Sequence, residues 1–187
     1  LPRHDDLEAG FAMSAPGGTV PGGKRSAARL AAVQAIYEME ITGIAADGVL
    51  AEFLSRRWPL TVAGGAGEGQ KAEPLVAPDL AFLEELVRGV AARKAELDKA
   101  ISGVLSLDGT PLGRMEAILR AVLRAGAFEL AARADVPVAT VINEYVEIAH
   151  AFFSDREPAL INGVLDRLAR TLRGGNGHGA EKTTGAG

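Results

Sequence analysis

Apolar residues recur at intervals of three and four along most of the middle of the chain, which is the period of one face of an α-helix. In the first such stretch these residues are Leu30, Val33, Tyr37 and Ile41. No stretch shows the strict alternation of apolar and polar residues that is typical of a half-buried strand. The pattern therefore predicts an all-α protein.

Residues that start and stop helices divide this pattern into six predicted helices. The second covers about residues 45–58 and is predicted to end at Pro59, because proline cannot continue a helix. The third is predicted to begin near Pro78 and Asp79, with Leu80 as the first of its inward-facing residues.

The last three predicted helices have clearer starts. In the fourth, Thr110 is a suitable cap and Pro111 suits the first helical position. Pro137 is predicted to open the fifth helix, and Ser154 or Asp155 to cap the sixth. We expect six to seven helices in all.

Three stretches rich in glycine, proline or polar residues interrupt the periodic pattern. Residues 1–23 and 174–187 read as disordered tails, and residues 62–74 as a linker. The expected domain is therefore residues 24–173.

The linker superficially resembles a phosphate-binding loop, because Gly64 and Gly69 bracket four residues. Such a loop needs a lysine followed by a hydroxyl residue. Here Gln70 stands in the lysine position and Ala72 follows Lys71, so the linker interpretation is favoured.

Composition narrows the class of protein. The chain has 187 residues, of which 48% are hydrophobic and only 5% aromatic, so its core is built from small aliphatic side chains. Gly126, within the apolar face of the fourth helix, indicates that another helix crosses closely there.

The absence of cysteine excludes disulfides and thiolate metal sites and agrees with a cytoplasmic location. A net charge of −4 means that nucleic-acid binding requires a local basic patch.

Glu147 and His150 have the Glu-x-x-His spacing of a carboxylate-bridged metal site, with Glu144 one turn earlier. A di-iron bundle needs a second such pair on another helix. The other histidines, His4 and His178, lie in the expected tails, so no metal is predicted. No base and nucleophile are placed for covalent catalysis either, so we expect neither an enzyme nor a cofactor.

Four segments together resemble the NusB family of bacterial transcription antitermination factors. They are residues 25–40 ("RSAARLAAVQAIYEME"), 117–130 ("AILRAVLRAGAFEL"), 135–153 ("DVPVATVINEYVEIAHAFF") and 158–170 ("PALINGVLDRLAR"). The resemblance implies two packed helical subdomains without enzymatic activity. It also implies binding to boxA, a single-stranded element of ribosomal RNA leader transcripts, together with the small-subunit ribosomal protein NusE. The resulting complex joins RNA polymerase and other Nus factors.

The predicted RNA-binding residues combine cations with aromatic rings. Arg25 and Arg29 lie four residues apart and so share a helix face, with Lys24 beside them; such a cluster neutralises phosphates. Tyr37 and Phe152 occupy positions where the family presents aromatics near RNA, and bases stack on such rings. Core packing of either ring is the alternative.

Arg156 precedes the sixth helix, where the family often has an acidic residue, and is predicted to add a phosphate contact. Residues 26–28 interrupt the arginine run that the family often carries, and Ala159 and Leu160 replace a frequent lysine and phenylalanine. We therefore expect weak RNA binding by the isolated protein, strong salt dependence and a marked gain from the partner.

The family-like motifs also contain Asn143, Asn162 and Gly163, which are predicted to be structural, because amides near helix starts usually bond to the backbone. Two alternatives to the antitermination function stay open. One is the RNA-binding part of a ribosomal RNA cytosine methyltransferase, and the other is a protein-interaction bundle that does not bind RNA.

Overall fold

The computed structural model describes residues 23–56, 76–106, 109, 111–154 and 156–174. Within them the chain forms α-helices and one short 3₁₀ turn and no strand, which confirms the all-α prediction. The expected tails, except Gly23 and Gly174, and all of the expected linker lie outside the described residues. The helices are α1 (Lys24–Thr42), α2 (Ala46–Arg56), α3 (Leu80–Leu105), α4 (Ala117–Ala132), α5 (Val138–Phe152) and α6 (Glu157–Gly174).

Local chemistry explains several helix ends. Asp79 caps α3, since its side chain accepts a hydrogen bond from the Phe82 N–H at 3.1 Å. Gly43 ends α1 in the left-handed conformation, with φ of 73°, which costs glycine little. Pro137 directly precedes α5, as predicted.

The central helix is α4, which is buried along most of its length. Every residue from Ala121 to Leu130 is buried, including two charged ones, and the helix packs against α1, α3, α5 and α6. The buried apolar residues of all six helices form one continuous core. The first three helices (α1–α3) and the last three (α4–α6) therefore share one core, to which α4 contributes most of its length.

Gly126 marks a close helix crossing. A Cβ atom at this position would lie 2.9 Å from both methyl carbons of Leu165 on α6 and 3.2 Å from the Tyr145 ring on α5. Such contacts are too short for a side chain, so the prediction that another helix crosses closely at Gly126 is confirmed.

The orientation of three helices follows from contacts between their side chains. Glu129 of α4 contacts Arg29 of α1, whereas Arg124, earlier on α4, contacts Glu40, later on α1. The two helices are therefore antiparallel. On α5, Tyr145 contacts Glu129 of α4 and Glu144 contacts Arg29 of α1, so the middle of α5 lies beside the end of α4 and the start of α1.

Three details of the sequence prediction are wrong. The fourth helix begins at Ala117 rather than at Pro111, because Pro111 opens a 3₁₀ turn (Leu112–Arg114) and Met115 is extended. Ile41 and Leu80 lie at helix ends on the outer surface, 59% and 46% exposed. The buried face of α1 is instead mostly alanine, which lets its neighbours approach closely (Ala28, Ala31, Ala32, Val33, Ala35 and Ile36).

Among the described helices, none is both long enough and apolar enough to cross a membrane.

Candidate nucleic-acid interface

The first turn of α1 forms an exposed, positively charged end of the bundle. Lys24 and Arg25 are both exposed, and Lys24 forms no ion pair with another described residue. The Asp79 N–H donates a hydrogen bond to the Lys24 carbonyl at 2.9 Å, so the starts of α1 and α3 are joined. We call Lys24 and Arg25 the cationic tip.

Arg25 is held only loosely at this tip. Its side chain is 53% exposed, and its guanidinium lies 5.6 Å from the centre of the Phe82 ring. Its Nε atom lies 3.9 Å from an Asp79 carboxylate oxygen, which is near the limit for an ion pair. Because a long, exposed ion pair contributes little, Arg25 is available to another anion.

Arg29, one turn later, is buried. Its Nε and Nη2 atoms donate hydrogen bonds of 2.9 and 2.6 Å to the two carboxylate oxygens of Glu129. Its Nη1 atom lies 3.4 Å from Glu144, which also accepts a hydrogen bond from Ser26 at 2.9 Å. The Tyr145 hydroxyl donates to Glu129 at 3.0 Å. We call these five residues the buried polar cluster.

The burial of Arg29 therefore does not favour its predicted contact with RNA. Only 4% of its side chain is exposed, and none of the Glu129 side chain. Although burial alone would lower the pKa of Arg29, the hydrogen bonds and charge of Glu129 raise it above its usual value. A buried guanidinium that is already paired cannot leave its carboxylate for a phosphate without exposing an unpaired buried charge.

Tyr37 lies in the second half of α1, away from the cationic tip, and Phe152 is the last residue of α5; we call these two residues the aromatic end. Tyr37 and Phe152 are both partly buried and packed on the core, so each ring is anchored and only part of it is available to stack. Tyr37 is twelve residues after Arg25 on α1, which corresponds to about 18 Å along the axis. A nucleic-acid strand would have to lie along α1 to reach both ends.

Arg156 adds a cation at the aromatic end. It lies four residues after Phe152, immediately before α6, and is exposed. It forms no ion pair with any residue that the structure describes. The candidate interface therefore has cations at both ends, Lys24 and Arg25 at one and Arg156 at the other.

The structural roles predicted for Asn143, Asn162 and Gly163 are not found in the described residues. Both amide side chains are exposed, and neither forms a hydrogen bond with the described part of the chain. A Cβ atom on Gly163 would meet no atom within 4 Å, so packing does not require a glycine there. Asn143, beside Glu144 on α5, is instead a surface group with free donors and an acceptor.

Acidic residues surround the cationic tip, which sequence patterns alone did not indicate. Arg133, just after α4, lies 5.3 Å from the Phe82 ring and pairs with Glu85 and Asp135. The hydrogen bonds from Arg133 lower the pKa of Asp135 to about 2. These residues come from the start of α3 and the α4–α5 turn, and only the tertiary fold brings them beside Arg25.

The residues considered for a metal site do not assemble one. Glu144 is engaged by Ser26 and Arg29, and the described residues contain no group of three histidine or acidic side chains able to hold a metal ion.

The family model for NusB matches residues 26–170, which is most of the chain and nearly all of the described helices. The chain belongs to the NusB family. The transcription antitermination protein NusB of Caulobacter vibrioides is 49% identical over 149 residues, covering 80% of this chain and 94% of that relative. The corresponding protein of Nitrobacter hamburgensis is 49% identical over 152 residues, covering 81% and 89%.

Solved structures of the NusB family agree with the fold. NusB from T. maritima matches with a TM-score of 0.61 at 26% identity, covering 78% of this chain and 90% of that one. NusB from Aquifex aeolicus matches with a TM-score of 0.60, covering 86% and 96%. At 18% identity, the second comparison shows the fold alone.

Membership of the NusB family bears on the alternatives. The two bacterial relatives are covered over 94% and 89% of their own length, so they are themselves of about this domain's size. Their names describe a transcription factor rather than an enzyme. The comparisons thus place the chain with NusB proteins of about its own size.

Proposed function

We propose that this chain is a transcription antitermination factor of the cytoplasm that binds single-stranded boxA RNA together with NusE. In this proposal the complex joins RNA polymerase and other Nus factors and supports elongation through terminators. The observation that carries the proposal is the NusB family match over residues 26–170, on a fold that exposes Lys24 and Arg25 at the start of α1 and Arg156 just before α6.

The proposed RNA strand runs along α1 from the cationic tip to the aromatic end. Lys24 and Arg25 bind phosphates at the start, and Arg156 binds one at the far end. Tyr37 and Phe152 stack on unpaired bases between or beside these contacts. Asn143, exposed on α5 and unbonded within the described residues, is an added candidate for a hydrogen bond to a base edge.

The burial of Arg29 strengthens the expectation that the isolated protein binds RNA weakly. With Arg29 in the buried polar cluster, the tip offers two cations instead of three, and one of these faces Asp79. Few phosphate contacts mean modest affinity, so a second RNA-contacting protein would add to it through effective concentration. NusE is the partner we propose for this role.

A binding titration tests the proposal. A labelled boxA-like RNA and a scrambled RNA of the same composition are titrated with the chain, with and without NusE, at about 50 mM and about 200 mM salt. We expect tighter binding to the boxA-like RNA, a marked gain on adding NusE and weaker binding at high salt. Absence of RNA binding under every condition would contradict the proposal and favour a protein-interaction bundle.

Substitution of the cationic tip identifies the surface. Lys24→Gln with Arg25→Gln should weaken binding to both RNAs and reduce the magnitude of the salt slope by up to about 1.4, because each full single-strand phosphate contact contributes about 0.7. The matched control is Lys99→Gln with Arg114→Gln, two other exposed cations without an ion partner among the described residues. Equal losses in both double variants would place the RNA elsewhere.

A further inference from the structure

Asp79 lies at the cationic tip and uses its two carboxylate oxygens differently. Its Oδ1 atom accepts the capping hydrogen bond from the Phe82 N–H, whereas its Oδ2 atom faces Nε of Arg25 at 3.9 Å. One oxygen therefore holds the start of α3, and the other remains directed at a cation of the proposed RNA surface.

The backbone fixes this carboxylate beside α1. The Asp79 N–H donates to the Lys24 carbonyl at 2.9 Å, and the Asp79 carbonyl accepts from the Leu83 N–H at 2.9 Å. The capped Phe82 places its ring beneath the Arg25 guanidinium. Asp79 cannot move away from Arg25 without uncapping α3 and separating the two helix starts.

The other nearby carboxylates are occupied by a different arginine. Asp135 accepts hydrogen bonds from Arg133 on both of its oxygens, each at 2.9 Å, and Glu85 accepts from Arg133 at 2.7 Å. Among the described acids, Asp79 is thus the one paired with Arg25.

We propose that Asp79 competes with RNA phosphates for Arg25 and so keeps the affinity of the free chain for RNA low. When a phosphate binds Arg25, the loose ion pair breaks and the Asp79 carboxylate remains close enough to repel the phosphate. The effect acts on phosphate and not on bases, so it reduces binding to every RNA sequence equally. This inference rests on the proposed function, because it requires RNA at the cationic tip.

The variant Asp79→Asn removes the charge and keeps the cap, since asparagine caps helices about as well as aspartate. We expect about threefold tighter binding to the boxA-like RNA and to the scrambled RNA alike, which is the size of effect of one unit charge several ångströms from a phosphate in water. The salt slope should steepen by up to about 0.7, as Arg25 becomes a full phosphate contact. Asp79→Ser, also a neutral capping residue, provides a second variant whose melting temperature and affinity are measured in parallel.

Two controls separate local competition from net charge. Asp47→Asn makes the same charge change at an exposed Asp47–Arg88 ion pair on α2 and α3, away from the tip, and should leave RNA affinity nearly unchanged. In the double variant Arg25→Gln with Asp79→Asn, the gain should disappear, because the residue for which Asp79 competes is gone.

The outcomes distinguish the inference from the function on which it rests. Equal gains from Asp79→Asn and Asp47→Asn, or a gain that persists without Arg25, would overturn the role of Asp79. So would unchanged binding of both folded Asp79 variants when Arg25→Gln still weakens RNA binding, although the proposed function would then stand. If the wild-type chain binds no RNA with or without NusE, both proposals fail together.

Discussion

The side chain of Arg25 is 53% exposed, whereas that of Arg29, one turn later on the same helix, is buried against α4 and α5. Both guanidiniums lie over the Phe82 ring, at 5.6 and 5.2 Å, so the local setting on α1 is similar. The difference comes from the opposite side, where Glu129 accepts hydrogen bonds from both Arg29 and Tyr145. One arginine is therefore part of the core and the other remains available for a ligand.

The consequence is a division of the charged residues along α1. The buried polar cluster joins α1, α4 and α5 through directed hydrogen bonds, and no buried side-chain nitrogen or oxygen in the described residues lacks a partner. Because every buried polar group in this cluster has a hydrogen-bond partner, the cluster favours one relative placement of the three helices. The cationic tip has a loose ion pair with Asp79 and a contact with the Phe82 ring, so it can exchange partners.

Among the substitutions that test this contrast, removal of the Glu129 carboxylate is expected to change stability most. Glu129→Leu should lower the free energy of unfolding by about 3–5 kcal/mol, because it leaves the Arg29 charge buried and unpaired. Urea denaturation followed by helical circular dichroism measures the change. The double variant Arg29→Met with Glu129→Leu should recover much of the loss, since a well-packed apolar pair often replaces a buried ion pair without cost.

A matched ion pair on the surface provides the control. Arg93 donates to Glu96 through the same two atoms at the same distances, 2.9 and 2.6 Å, but Glu96 is exposed on α3. Glu96→Leu should leave the urea midpoint nearly unchanged, because water solvates the released guanidinium. Similar losses in the Glu129 and Glu96 variants would contradict the view that burial makes the difference.

Removal of the Tyr145 hydroxyl is expected to cause the next largest loss of stability. Tyr145→Phe should cost about 1.5–3 kcal/mol at neutral pH, because the hydroxyl donates to a buried carboxylate. Burial, with the charge of Glu129, raises the pKa of Tyr145 well above its usual value. The folded state thus retains this proton more tightly than the unfolded state does.

This shift gives the prediction a pH signature. A pKa raised on folding contributes stability that is complete below the unfolded pKa of about 10 and is lost as the pH rises above it. The stability difference between wild type and Tyr145→Phe, measured by urea denaturation from about pH 8 upwards, should therefore shrink above about pH 10. A difference independent of pH would show that Tyr145 is not linked to folding through this proton.

The sequence was sufficient to predict the helices but not to predict which of their residues are buried. The periods of three and four residues predicted all six α-helices, and Pro137 marked the start of α5 correctly. The same period placed Val33 correctly on the inward face of α1 but missed the alanines that form most of that face, because alanine carries a weak hydrophobic signal. It also could not show that Ile41 lies at an exposed helix end.

The candidate site shows the same limit. Lys24, Arg25 and Arg156 are exposed, which is the usual position of charged side chains that no buried acid pairs. Arg29 pairs with Glu129, which lies 100 residues later in the chain. A local sequence pattern cannot indicate a pair that is so far apart. Asp79 was identified only as the start of a helix, and its position beside Arg25 depends on the α1–α3 junction.

The smallest expected change in stability is that of Arg25→Gln at the cationic tip. Arg25→Gln should change the free energy of unfolding by no more than about 0.5 kcal/mol, because its contact with Asp79 is long and exposed. Arg29→Gln, the same substitution one turn later, should destabilise the protein strongly, because it leaves Glu129 buried without its cation. Urea denaturation of the two variants under identical conditions measures both changes. A large stability loss in Arg25→Gln would mean that the tip is structural, and RNA-binding losses in that variant could then not be attributed to a missing phosphate contact.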